Sequence, residues 1–540
     1  MTKNQTEAGG LTRYLPHILL ALILVGVAYV RIRLLQVPLE RDEGEYAYMG
    51  QLLLKGFAPH LHAYSMKLPG VSMMYALSMA IFGQSAFGVH LGLLVGNGLS
   101  ALLVYLLAAR LIGREAAPAA CGSYALLSLS KSVYGVFAHA TQFVVLFSLA
   151  GFLLLLRPNP KNRLAPLFLS GLCFGLAFIM KQPAALLGLF GLLYQAREGY
   201  KSRAWTGKSF LTGVAALIFG MALPYLIVLV WVLQAGSFDE FWFWTVTYAR
   251  EYAGGLPLDL GLQTLVHNFS IVFAPQRPLY LLAAAGTLVL ALRRSHFPQG
   301  PVIWGYLLFS FLAVCPGLYF RWHYFILILP GAALLVGVAT GYLGEVAARF
   351  QGGQWPRHLV PVLLVAAAAG YGFYTERDCF FALTPLEVSY STYRISPFPA
   401  APEIGAYLKA HTVASDTVAV FGSEPEIYFY SDRLSATGHI YMYSLMEDQP
   451  HAERMQRELI SQVEAARPKY CVYTRMQFSW LVGPASPPVL LDWLDNYLKK
   501  NYVQVGVIEV YDNESQLFWD ADALRHIPRP DSNLIVYRLK

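Results

Sequence analysis

Residues 15–48 read LPHILLALILVGVAYVRIRLLQVPLERDEGEYAY, and the fold is decided by how this stretch is understood. Its first half, Leu15 to Val30, is an apolar run that follows a short polar lead and ends at Arg31 and Arg33. A bilayer core takes about 20 apolar residues as helix, somewhat fewer where flanking side chains snorkel. A secretory signal would close on a small-residue cleavage site ahead of soluble sequence. Two arginines and a loop follow instead, so the run reads as an uncleaved first span. The second half turns acidic at once. Glu40, Asp42, Glu43 and Glu45 fall within six positions, although residues 1–375 hold only 12 Asp and Glu in all.

The same ruler, moved along the chain, finds about eleven apolar spans. They lie near 14–35, 87–112, 116–131, 136–156, 164–181, 183–196, 209–234, 278–292, 301–319, 323–346 and 358–375. Backbone polar groups cannot stay unsatisfied in lipid, so these are helices. Strand-like alternation is absent, which argues against an outer-membrane barrel. Composition agrees: 56% of residues are hydrophobic and 14% charged, where globular proteins carry about 25% charge.

Charge orients the spans. Residues 1–375 hold 25 Lys and Arg against 12 Asp and Glu, and residues 376–540 hold 15 against 21. Basic residues collect in alternate loops: Arg110 and Arg114; Arg157, Lys161 and Arg163; Arg197, Lys201, Arg203 and Lys208; Arg293 and Arg294; Arg349 and Arg357. By the positive-inside rule these loops and the N-terminus face the cytoplasm. An odd number of spans then puts residues 376–540 outside. The net charge of +7 reflects those loops, and no nucleic-acid partner is expected. The localisation expected is a multi-pass cell inner (plasma) membrane protein whose C-terminal domain is periplasmic or extracellular.

Two outer segments are more than loops. Residues 38–86 hold a helix-period stretch (Tyr46, Met49, Leu52, Leu53) and an apolar stretch, Pro69–Phe82. Residues 235–277 contain Phe241-Trp242-Phe243-Trp244. Both read as helices lying in the outer interface, a depth that Trp and Tyr favour. Beyond residue 375 the pattern changes to strands at Thr417–Gly422, Tyr470–Thr474, Val503–Tyr511 and Asn533–Leu539, with helices at Ala452–Ala466 and Leu490–Lys500. The fold class expected is therefore a polytopic α-helical membrane protein of about 11 or more spans, residues 1–375, carrying an extracytoplasmic α/β domain, residues 376–540.

Chemistry is sought first in the acidic cluster. One reading is a solvated loop, or an N-cap onto a helix over 44–55. The other is a carboxylate fixed near the membrane surface as a general base for an attacking hydroxyl. Cations lie on the same outward side: Lys67 in Met66-Lys67-Leu68-Pro69, Lys181 before Gln182-Pro183, and Arg321 and His323 in Arg321-Trp322-His323-Tyr324. A single outer-edge Lys is usually a snorkelling anchor. Several beside a carboxylate are suited to holding an anionic phosphate leaving group while the base activates a nucleophile. His139, Thr141 and Gln142 open the fourth span, and Tyr248, Arg250 and Tyr252 follow the second interfacial segment. These read as membrane-surface residues, or as the walls of a sugar pocket with Tyr46 and Tyr324. The five cysteines are scattered, with no disulfide framework or zinc spacing. No P-loop, dinucleotide fingerprint or nucleophile elbow is present.

The order of these motifs resembles the GT-C superfamily of polytopic glycosyltransferases, with the protein O-mannosyltransferases and lipid A aminoarabinose transferases as the nearest likeness. Members carry an Asp-Glu pair in the first outer loop, similar to Asp42-Glu43, then an interfacial Lys-Pro motif, similar to Lys67-Leu68-Pro69. A Lys at the outer end of a middle span resembles Lys181, and an aromatic-His-Tyr stretch resembles Trp322-His323-Tyr324 with Pro330 beyond. The likeness covers most of residues 10–375. It implies a polyprenyl-phosphate sugar donor reached from the bilayer and a metal-independent, inverting transfer to a protein, glycolipid or polysaccharide hydroxyl. By it, Asp42 is the base and Glu43 a supporting acid, while Lys67, Lys181, Arg321 and His323 hold the donor phosphate. No metal site and no cofactor are expected, a divalent cation being left open. Met66 stands where the aminoarabinose transferases carry Glu, and Leu68 replaces a Pro, so the sugar stays open. The rival readings are a flippase or transporter, and a ligase, of lipid-linked saccharides. A transporter would need ionisable sites near mid-membrane and repeat symmetry, which the sequence lacks.

Overall fold

The computed structural model describes residues 12–156, 164–201, 207–351 and 354–540. Arg157, Lys161, Arg163 and Arg203, which entered the charge argument, lie outside them. Each expected span contains a helix: Leu15–Arg33, Ala86–Leu111, Ala117–Leu127, Ala140–Leu155, Leu164–Met180, Ala185–Lys201, Lys208–Gln234, Arg277–Leu292, Gly300–Leu312, Leu329–Gln351 and Trp355–Thr375. Among the described residues five stretches are long and apolar enough to cross a bilayer unaided: Leu15–Arg33, Ala86–Leu111, Lys208–Gln234, Trp322–Gln351 and Trp355–Thr375. Along them large apolar side chains such as Leu22, Val25, Ile227 and Leu363 stand exposed. Water would not tolerate so many; lipid does. The chain is a multi-pass membrane protein.

Its residues form two compact units. The first comprises the N-terminal segment to Leu34, Leu91–Val228 and Tyr252–Ala382. Lipid offers no hydrophobic drive between helices, so close backbone approach at small residues holds them together. Gly171 and Gly175 show this, because a Cβ on either would lie 2.1 and 2.4 Å from the carbonyl oxygens of Leu217 and Met221. The helices Leu164–Met180 and Lys208–Gln234 thus meet backbone to backbone.

Residues 128–139 depart from the expected spans at 116–131 and 136–156. The Ala117–Leu127 helix stops early, and a 3-10 turn, Lys131–Val133, ends on Tyr134 at φ 56°. Two buried charges fix this loop. Arg31 donates to the carbonyls of Ser128 and Gly135 at 2.8 Å each. Glu376 accepts from Ser130 Oγ (2.9 Å), the Lys131 amide (2.7 Å) and Gln276 Nε2 (2.9 Å).

The second unit gathers Leu35–His90, Leu229–Glu251 and Leu383–Lys540. Both stretches read as interfacial contribute to it, residues 235–277 only in their first part. Its centre is a six-stranded sheet in the order β2-β1-β3-β6-β4-β5. The strands are β1 (Thr417–Phe421), β2 (Leu434–Ser435), β3 (Tyr470–Arg475), β4 (Tyr502–Val510), β5 (Ser515–Trp519) and β6 (Asn533–Leu539). β1 pairs in parallel with β2 and β3, and the remaining pairings are antiparallel. The helices Ala452–Ala466 and Val489–Asn501 each present a buried apolar stripe (Met455, Leu459, Val463; Leu490, Leu494, Leu498).

The Arg41–Leu54 helix differs from an interfacial helix with one wet face. Residues Glu43 to Leu52 are all buried. Gly44, Ala47 and Gly50 recur every third residue, giving the helix narrow sides on which other backbones can seat. A Cβ on Gly44 would stand 2.5 Å from the Glu426 amide nitrogen, and one on Gly50 would stand 2.9 Å from the Ser72 carbonyl oxygen. The Tyr48 hydroxyl adds to this packing by accepting the Ser435 amide at 2.8 Å. Gly44→Ala is expected to cost about 1–3 kcal/mol, as overpacking does, seen as a lowered melting temperature of purified protein. Melting at the wild-type temperature would show that this contact is looser than drawn.

Candidate active site

The acidic stretch forms the first turn of the Arg41–Leu54 helix, and its four carboxylates do different things. Glu40 is the N-cap: its side chain accepts the Glu43 amide at 2.9 Å, while Glu43 Oε2 reaches back to the Glu40 amide. The capping reading is thus correct for these two. Glu43 is fully buried, with Oε1 3.0 Å from His90 Nε2. Burial, with Asp42 and Glu43 beside it, holds the Glu40 carboxyl well above the usual range.

Asp42 and Glu45 lie three residues apart, so they share a helix face. Between them stands Lys67, whose Nζ is 3.1 Å from Asp42 Oδ1 and 2.7 Å from Glu45 Oε2. The side chains of Lys67 and Asp42 are 17% and 16% exposed, half-hidden and still reachable. Burial would depress the ammonium, yet Asp42 and Glu45 hold it well above the ordinary lysine value. The Tyr46 ring lies 4.5 Å from Nζ and edge-on to Tyr75. Ser65 Oγ donates to Glu45 Oε1 at 2.5 Å and accepts the Lys67 amide at 3.1 Å. His60, pushed down to about 4 by burial against the pull of the Ser65 carbonyl, is neutral and donates to that carbonyl at 2.8 Å. The Lys67 loop is thereby tied to the helix at four points.

In the first unit a second group forms. Lys181 closes the Leu164–Met180 helix, and its Nζ lies 3.5 Å over the Tyr324 ring. His139 and His323 stack with centroids 4.1 Å apart, and Tyr134 packs on both. Thr141 donates to the His323 carbonyl at 2.9 Å. Arg321 precedes the 3-10 turn Trp322–Ile328, with Nη2 3.5 Å from the Tyr252 hydroxyl. Gln142 is buried, and its side-chain amide meets no hydrogen-bond partner among the described residues.

The remaining expected pocket residues are Tyr248 and Arg250. Tyr248 is buried and gives its hydroxyl to Glu447 at 2.5 Å, and Arg250 is exposed. Asn268, in an Asn-Phe-Ser tripeptide, uses its amide on the Phe320 carbonyl and the Trp322 indole, both at 3.0 Å. Sequence reading left Glu45, Ser65, His60 and Tyr134 without roles. The three-residue step from Asp42 to Glu45 was the one signal available.

The fold is similar to that of solved membrane-embedded sugar transferases, and part of the first half of the chain is also similar in sequence to known proteins. Residues 66–231 match the Dolichyl-phosphate-mannose-protein mannosyltransferase family. The undecaprenyl phosphate-alpha-4-amino-4-deoxy-L-arabinose arabinosyl transferase of Pseudomonas aeruginosa (strain UCBPP-PA14) is 30% identical over 228 residues, 39% of this chain. That alignment spans only 40% of the relative's length. ArnT from Cupriavidus metallidurans, solved bound to undecaprenyl phosphate, superposes with a TM-score of 0.58 at 12% identity, covering 96% of this chain and 97% of its own. The oligosaccharyltransferase AglB from Archaeoglobus fulgidus, in complex with an inhibitory peptide and a dolichol-phosphate, gives 0.51 at 14% identity, over 95% and 75%.

Proposed function

We propose that this protein is an inverting glycosyltransferase that moves a sugar from a polyprenyl-phosphate donor to an acceptor hydroxyl at the outer face of the membrane. The observation that carries this is the Lys67 ammonium held between the Asp42 and Glu45 carboxylates. A general base needs a fixed carboxylate with room for a hydroxyl beside it. The helix start and the ion pair supply both for Asp42. In this reading Asp42 takes the acceptor proton as its oxygen bonds to the anomeric carbon. The bond to phosphate breaks on the opposite face, which inverts the configuration.

The leaving phosphate needs cations where its charge grows. An ammonium has three donors, and two on Lys67 are committed to carboxylates, so Lys67 serves Asp42 first and the phosphate with what remains. Lys181, Arg321 and His323 keep the phosphate-holding role that the resemblance implies, and Gln142 and His139 that of contacts to sugar hydroxyls. Cationic side chains carry this charge, and no cofactor is assigned. Glu43, committed to its cap and to His90, is a support for the helix start. The relatives' names support the donor class. The reading also places the C-terminal segment outside and the N-terminus in the cytoplasm of an inner (plasma) membrane protein; reporters at Lys540 and near Lys201 should report opposite sides.

Lys67→Ala is expected to lower kcat about 10²-fold and raise the donor KM while leaving the acceptor KM unchanged. Equal rises in both KM values would remove Lys67 from the phosphate. An unchanged kcat would remove it from the positioning of Asp42.

A further inference from the structure

Beyond the acidic cluster, the second unit carries a cavity of about 460 Å³, within the range of about 300–1,000 Å³ typical of small-molecule sites. Its lining comes from the Ala452–Ala466 helix and the residue after it (Glu464, Arg467) and from the Val489–Asn501 helix (Trp493, Asn496, Tyr497, Lys500). The spacing of the second set is not accidental to the fold. Leu490, Leu494 and Leu498 point that helix into the core, and Trp493, Asn496, Tyr497 and Lys500 form a neighbouring stripe along its flank, with Trp493 and Tyr497 half-buried.

Trp493 and Tyr497, one turn apart, stack with centroids 4.4 Å apart at 21°. The Trp493 indole N–H donates to Glu464 Oε1 at 2.8 Å, which locks the ring and occupies that carboxylate. Tyr497 is held from behind by Tyr502, whose hydroxyl lies 3.4 Å away and donates to the Pro468 carbonyl at 2.9 Å. Pro468 and Tyr502 are buried, so the platform stands on rigid structure. A fixed aromatic surface ringed by an amide, a carboxylate and two cations is what a pyranose needs. Its C–H face lies on the ring and its hydroxyls meet the polar groups. With Glu464 engaged by the indole, Arg467 and Lys500 leave the rim net positive.

We propose that this cavity binds an acidic saccharide, a uronate-bearing stretch of acceptor or product glycan, at a site separate from sugar transfer. The proposal rests on the glycosyltransferase reading for its biological sense, and its test does not use transfer. Full-length protein in lipid nanodiscs is titrated calorimetrically with trigalacturonic acid, and with maltotriose as the neutral counterpart. Saturable binding of the acidic trimer is expected, weakened about tenfold or more by Trp493→Ala, as loss of a stacked aromatic implies. Lys500→Glu, at an exposed position that cannot unfold the core, is expected to weaken the acidic trimer by a similar factor. Asp42→Asn should bind as wild type does. The proposal is overturned if the acidic trimer fails to bind, if maltotriose binds equally well, if both groove variants bind like wild type, or if Asp42→Asn abolishes binding. An enzyme that transfers sugar yet fails this titration would lose the groove and keep its proposed reaction.

Discussion

Asp42→Asn is expected to reduce sugar transfer in membranes by about 10²–10⁴-fold, the contribution of a positioned general base, with no loss of protein from the membrane. The amide keeps the shape of the carboxylate, so the first helical turn survives. Glu40 and Glu43 maintain the cap without it. What disappears is the anion that takes the acceptor proton and half of the embrace around Lys67. Glu45 retains the ammonium at 2.7 Å, so donor binding should change far less than turnover. Transfer at the wild-type rate would end the role given to Asp42, and with it the mechanism as drawn.

Arg41→Ala should have the largest effect on stability. One residue before Asp42, Arg41 lies against the α/β part of its unit, with Nε donating to the Ser423 carbonyl at 2.6 Å and Nη2 3.5 Å from Glu424 Oε1. It also donates to the Tyr443 hydroxyl and lies over the rings of Phe398, Tyr441 and Tyr443. Glu424 and Glu426 are buried beneath it. Breaking a buried pair by removing one partner costs about 3–5 kcal/mol, because a charge is left uncompensated. A large drop in melting temperature is expected, with partial rescue by Glu424→Gln. Equal melting of Arg41→Ala and wild type would show the cluster to be solvated.

The sign of the pH dependence follows from the same residues. Burial, partly offset by Arg41, raises the Glu424 carboxyl; burial and the neighbouring Glu424 raise Glu426 well above the ordinary value; Glu40 is raised likewise. A carboxyl raised on folding binds more protons in the native state than in the unfolded one, so stability falls as pH climbs through the folded value. Thermal stability should therefore rise between pH 7.5 and about 5, and Glu426→Gln should flatten the slope. A melting temperature that falls steadily over that range would contradict this assignment.

Much of this was readable in the chain. The apolar runs foretold the helices because hydropathy is a long, averaged signal, and the buried strands β1, β3, β4 and β6 declared themselves by dense β-branched and aromatic residues. β5, Ser515–Trp519, escaped because it is a short, half-buried edge strand whose three apolar residues run together without alternation. The gap expected between residues 131 and 136 is wider in the structure, 128–139, because the buried charges that stabilise it lie far off in sequence, at residues 31 and 376. Asp42 and Lys67 were singled out by their chemistry, whereas Glu45 drew notice only through the geometry of the Lys67 loop. Tyr248 looked like a pocket wall, and its partner Glu447, 199 positions away, was invisible in any window.

The loop of residues 128–139 sets a timetable for biogenesis. Its lower tether, Arg31, leaves the ribosome early, but Glu376, which gathers Ser130, Lys131 and Gln276, emerges almost 250 residues after the first two of them. Throughout that interval the segment leading to His139 has only one of its two anchors. Nascent chains released before residue 376 should therefore expose this segment to protease, and those released after it should protect it.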